Sequence, residues 1–107
     1  MSNRSIITNH FMVRWLERAE GFDMAMIRAA MERDGLDAQN DGEILWFVNA
    51  HLGFDLEGLR HELTELVAPA LRMRAQCVRH KGFVIKLGDG AAVTVMRKKR
   101  YAKWWRS

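Results

Sequence analysis

The chain has 107 residues, of which 49% are hydrophobic and 28% charged, with a single proline; this balance excludes a disordered chain and suits one domain with a modest core. Cys77 is the only cysteine, which excludes an internal disulfide framework and fits a reducing cytoplasm. No apolar run approaches the roughly 20 residues that span a bilayer, and Met1 to Ser5 lacks the apolar stretch of a secretory signal. The net charge of +4 hides an asymmetry, because residues 97–107 hold six of the 17 basic residues and no acidic one. Eleven basic residues then face 13 acidic ones, so the body is near −2 and the tail +6.

A first helix is expected from about Asn9 to Glu20, capped by Thr8 or Asn9, with Phe11, Met12, Trp15, Leu16 and Ala19 at helical spacing on one face. Gly21 suits the left-handed turn that ends a helix. Asp23 stands where the cap of a second helix belongs, and Met24, Ile27, Ala30 and Met31 form that helix's apolar stripe up to Gly35. The polar stretch from Asp34 to Gly42 reads as a loop. Asn40-Asp-Gly-Glu43 then resembles a capping box that opens a third helix bearing Ile44, Leu45, Val48 and Leu52. Gly53 stops it. Asp55 caps a longer fourth helix with Leu56, Leu59, Leu63, Leu66, Val67 and Leu71, in which Pro69 is expected to kink the helix or to end it near Ala68.

After Arg72 the period changes to two. Ala75 to Arg79, Phe83 to Leu87 and Ala92 to Met96 read as strands, separated by His80-Lys81-Gly82 and by Gly88-Asp89-Gly90, which supplies the positive φ angles of a tight hairpin. The expected fold is α+β: about four helices over residues 8–72, a three-stranded antiparallel meander over 74–96, and a basic aromatic tail over 97–107 appended to a single domain, 1–96.

The helical part is written twice. Trp15, Ala19, Gly21, Phe22, Asp23 and Arg28 recur as Trp46, Ala50, Gly53, Phe54, Asp55 and Arg60, and Met24, Ile27 and Met31 return as Leu56, Leu59 and Leu63. A repeat this short marks one helix-turn-helix unit used twice. Caps and buried corners account for the Gly-Phe-Asp segments, and Arg28 and Arg60 stand at the border of each apolar stripe with stems packed and heads wet. Function is therefore expected in the unrepeated parts.

The four histidines show no metal-ligand spacing, there is no Cys-x-x-Cys, and no aspartate-rich calcium loop is present, so no metal or cofactor is expected. His61 belongs to a solvent face, and His51 to a helix end where a cation is favoured. His10, Arg14 and Arg18 fall at i, i+4 and i+8 on one polar face of the first helix. Such a stripe could grip a phosphate, with His10 available for proton transfer.

His10-Phe-Met-Val-Arg-Trp-Leu-Glu-Arg18 on an opening helix, with Gly82-Phe-Val-Ile-Lys-Leu-Gly-Asp-Gly-Ala-Ala-Val-Thr-Val-Met96 as a carboxy-terminal hairpin, resembles small bacterial and prophage proteins related to the RelE-type toxin ribonucleases. The two stretches cover about a quarter of the chain. The resemblance implies metal-independent RNA cleavage, with His10, Arg14, His80 and Lys81 as candidates.

The tail carries the strongest functional signal. Arg97, Lys98, Lys99, Arg100, Lys103 and Arg106 alternate with Tyr101, Trp104 and Trp105, cations that neutralise phosphates beside rings that stack on bases. The first expectation is a small nucleic-acid-binding accessory protein, for RNA or DNA, that docks through this tail with help from Arg14 and Arg18. The second is a phage-type inhibitor or adaptor that binds a host nucleic-acid enzyme through Glu57, Glu62, Glu65, Asp34, Asp37 and Asp41. A toxin-like ribonuclease is the third. The composition also leaves room for a homodimer.

Overall fold

The computed structural model describes residues 6–97; residues 1–5 and the tail positions 98–107 lie outside that range. Four helices precede a three-stranded sheet, the α+β order expected from the periodicity: α1 (Asn9–Arg18), α2 (Met24–Arg33), α3 (Asp41–Leu52), α4 (Leu56–Arg72), β1 (Cys77–His80), β2 (Phe83–Gly88) and β3 (Ala91–Arg97). The strands form an antiparallel meander in the order β1-β2-β3.

Side chains cap all four helices. The Thr8 hydroxyl accepts from Phe11 N–H, and the Asp23, Asn40 and Asp55 side chains accept from the backbone N–H groups of Met26, Glu43 and Gly58. Each satisfies one amide that the first turn would otherwise leave unpaired. The capping box at α3 is altered: Glu43 does not return to Asn40 but accepts from Asp37 N–H at 3.0 Å, which pins the loop before the helix. Gly53 ends α3 at φ 68°, a left-handed conformation that a side chain would strain. The helix α4 runs through Pro69 to Arg72 rather than ending near Ala68.

The two copies of the repeat meet at their corners, where Phe22 and Phe54 pack edge to face with ring centroids 5.3 Å apart. Arg28 and Arg60 do more than keep their stems packed. Arg28 Nε–H donates to the carbonyl of Ala38, and Arg60 donates to Asn9 Oδ1 at 2.6 Å, so each copy's arginine ties its second helix to a neighbouring segment.

The helix α1 is the hub, packing against β3 on one side and α3 on the other, while α2 lies on α3 and α4 lies on β1 and β3. The core is built from Phe11, Met12 and Leu16 of α1, Ile44 and Val48 of α3, Leu63 and Val67 of α4, and Ile85 and Val95 of the sheet. Ile7 is also fully buried, and Ile6 accepts from Ala92 N–H, so the segment before α1 belongs to the body. The apolar stripes hold with three exceptions: Leu52 of α3 is exposed, and Val13 of α1 and Phe47 of α3, absent from the expected stripes, are buried.

Both hairpins use two-residue turns. Lys81 and Gly82, then Asp89 and Gly90, all take positive φ, which matches the twist of the flanking strands. Val78, Ile85 and Val95 pair in one register row facing the helices, and Cys77, Arg79 and Lys86 of the alternate rows are exposed. Opposite Lys86 and Leu87 the partners are Thr94 and Ala92, so Val93 bulges out of β3.

Candidate functional site

The expected phosphate-gripping stripe on α1 is divided among three different partners. His10 Nδ1 lies 3.3 Å from Asp41 Oδ2, and Arg14 Nε–H donates to His10 Nε2 at 3.3 Å. Donation from Arg14 requires an unprotonated Nε2, so the contacts together select the Nδ1–H tautomer. The ring nitrogen that would act as a base is then the one that Arg14 covers. Arg18 points elsewhere: its Nη1 donates to Thr94 Oγ1 and to the carbonyl of Val95, clasping β3. Arg18 is thus a fastening between helix and sheet.

His80 and Lys81 form a second cluster around Glu62 of α4. His80 Nε2 lies 3.3 Å from Glu62 Oε2, and Lys81 Nζ lies 3.4 Å from the same oxygen. These two partners hold the Glu62 carboxyl below its ordinary range, the His80 hydrogen bond contributing most. The His80 ring rests against Trp15, with centroids 6.0 Å apart. Among the described residues, no hydrogen bond or ion pair joins the His10 cluster to the His80 cluster, so the four residues implied by the ribonuclease resemblance stand as two separate pairs.

Trp15 and Trp46 match in the repeat but not in environment. The Trp15 indole is buried under Phe83 and His80 at the tip of the β1–β2 hairpin and donates its Nε1–H to Glu20. The only sheet in the described structure packs on α1 and α4, so the same position on α3 has no strand over it, and Trp46 is 55% exposed. Beside Trp46 a groove of about 480 Å³ opens between α3 and the first turn of α4. Leu45 and Leu56 give it an apolar lining, Asp55 and Glu57 its carboxylates, and Asn9 and Asn49 its amides. Arg60 lies there too, with its guanidinium already engaged by Asn9. Sequence reasoning passes over this groove, because Trp46 figures there only as the repeat match of Trp15 and stands outside the apolar stripe expected of the third helix. The signal was present in polarity, since Arg14 and Arg18, which flank Trp15, become Leu45 and Asn49 beside Trp46.

The tail residues Lys98, Lys99, Arg100, Tyr101, Lys103, Trp104, Trp105 and Arg106 lie outside the described residues, and of Arg97 only the strand position is described. The structure nevertheless moves the charge boundary. Residues 9–65 carry twelve acidic and five basic side chains, whereas residues 66–107 carry eleven basic and only Asp89 acidic. Arg72, Arg74, Arg79, Lys81 and Lys86 are all exposed, so the basic character expected of the tail begins at the end of α4 and extends across the sheet.

Among the described residues no group of three or more histidine, cysteine, aspartate or glutamate side chains is placed to hold a metal ion, and no helix is long and apolar enough to cross a membrane. No family model, curated protein or solved structure matches the chain.

Proposed function

We propose that the protein binds nucleic acid, with the sheet side of the body and the tail forming one continuous basic surface. The observation that carries this reading is charge segregation: eleven cations against one acid from residue 66 onward. Arg72, Arg74, Arg79 and Lys86 are exposed at the end of α4 and on the sheet, and the tail that follows adds three aromatic rings and six cations. Cations spaced along a surface neutralise successive phosphates, and tyrosine and tryptophan supply stacking faces for unpaired bases. A single-stranded or loop-containing ligand fits this pairing better than a regular duplex, whose bases are already stacked. In this reading Arg14 and Arg18 play no direct part, since one is bonded to His10 and the other clasps β3.

Fluorescence anisotropy with a labelled single-stranded oligonucleotide provides the test. Full-length protein should bind with affinity that falls steeply with salt, and deletion of residues 98–107 should abolish most of it. Unchanged affinity after the deletion refutes the reading.

The acidic helical half supports a second reading, docking to a basic protein surface. Glu57, Glu65, Asp34 and Asp37 are exposed there, whereas Asp41 is held by His10 and Glu62 by His80 and Lys81. A stoichiometric protein recovered with the full chain from nuclease-treated lysate would favour that alternative.

A further inference from the structure

The groove between α3 and α4 has the chemistry of a receptor for cations and aromatic rings. It presents the half-exposed Trp46 indole, the carboxylates of Asp55 and Glu57, and an apolar lining of Leu45 and Leu56. Its own arginine keeps its charge but is held aside by the Asn9 amide oxygen at 2.6 Å, and two carboxylates against one guanidinium leave net negative charge beside an aromatic face. A cation over an indole gains from the ring quadrupole, and more so with a carboxylate nearby. The internal repeat strengthens the point. In the first copy the matching tryptophan is covered by the hairpin tip, through Phe83 and His80, while in the second copy that cover is missing.

The chain itself carries a segment of complementary chemistry. Residues 98–107 hold five cations, Tyr101, Trp104 and Trp105, and no acid. They follow β3, whose last residue, Arg97, pairs with Phe83 beside Trp15. The groove is bordered by Asn9 at the opposite end of α1. A helix of ten residues is about 15 Å long, and β3 and α3 pack on opposite sides of it, roughly 20 Å apart across two packed layers. The straight line is then roughly 25 Å, whereas ten extended residues span up to about 33 Å, so the length of the tail suffices to meet the groove of its own chain.

We infer that the Trp46 groove is the intramolecular docking site of the basic aromatic tail. Where the tail is also the nucleic-acid contact, a consequence that rests on the function proposed above, the oligonucleotide and the groove compete for the same residues.

Paramagnetic relaxation in the full chain tests the docking directly. A spin label is placed at Ala102→Cys in a Cys77→Ser background, and the Trp46 indole N–H is observed by NMR. Docking broadens that signal beyond detection at low salt. The signal returns at about 1 M salt, where screening shortens the Debye length to roughly 3 Å, and also in a Glu57→Lys variant whose thermal unfolding is unchanged. An unbroadened Trp46 signal at low salt overturns the inference. So does broadening in an isotope-labelled, unspin-labelled copy mixed with a spin-labelled one, because the contact would then pass between chains. Failure of the nucleic-acid reading is seen separately, as oligonucleotide affinity that survives deletion of residues 98–107.

Discussion

Replacing Trp15 with alanine removes an indole that is 2% exposed and touches Phe11, His80 and Phe83, and it leaves Glu20 without its donor. Truncating a large buried aromatic residue costs about 3–5 kcal/mol, a large share of the roughly 5–15 kcal/mol that holds a small domain together. Trp46→Ala, at an indole 55% exposed on the body, should change stability by no more than about 0.5 kcal/mol once residues 98–107 are deleted, as at other surface positions. Urea midpoints of the two variants in that background measure the difference, and similar losses would mean that the body itself covers Trp46. Glu62 gives a second prediction at this scale. Its carboxyl is held below the ordinary range by His80 and Lys81, so it binds a proton more weakly when folded than when unfolded. The stability it contributes is present above the unfolded value of about 4.3 and fades as pH falls through the lower folded value. Wild type and Glu62→Gln should therefore differ in urea midpoint near neutral pH and converge below pH 4. A constant offset across that window would show that Glu62 acts through packing alone.

The elements obey local rules closely enough that most of them can be read from residues in sequence. Asp23 and Asp55 stand one residue before an apolar stripe, and each accepts from the backbone N–H three residues on. Asp23→Ala and Asp55→Ala should each cost about 1 kcal/mol, with asparagine at either position retaining most of the stability; chemical denaturation of the four variants checks this. Gly53 and the turn residues Gly82 and Gly90 were equally legible, because a positive φ leaves few choices of side chain. Arg18, Leu52 and Trp46 were not. Helical periodicity says which residues share a face, but the covering of that face depends on where a distant element lands. Arg18 reads as part of a phosphate stripe until β3, some 76 residues later, supplies Thr94 as its partner. Trp46 reads only as the repeat match of Trp15, until the sheet settles on α1 and α4 and leaves Trp46 without the cover that Trp15 has. Pro69 shows the same limit in reverse, since the helix continues through it to Arg72.

At the scale of the whole molecule, charge is sorted along the chain: residues 9–65 carry twelve of the 13 acids, and residues 66–107 carry eleven of the 17 bases. Such a field orients a polyanion toward one side and repels it from the other, so the sheet's cations should share in binding rather than leave it to the tail. For a single-stranded ligand, each phosphate contact adds about −0.7 to the slope of log affinity against log salt. Six tail cations would give a slope near −4, or a loss of a few hundred-fold between about 50 and 200 mM salt. Arg79 and Lys86 occupy adjacent outward rows of β1 and β2 and are both exposed, which places them where a strand leaving the tail would cross the sheet. The double substitution Arg79→Ala and Lys86→Ala should lower the magnitude of the slope by about 1.4, while the urea midpoint stays within error because neither side chain enters the core. An unaltered slope would confine binding to the tail and strip the sheet of its part. A reduced slope would instead show that the break in charge at the end of α4, rather than the start of the tail at residue 97, bounds the binding surface.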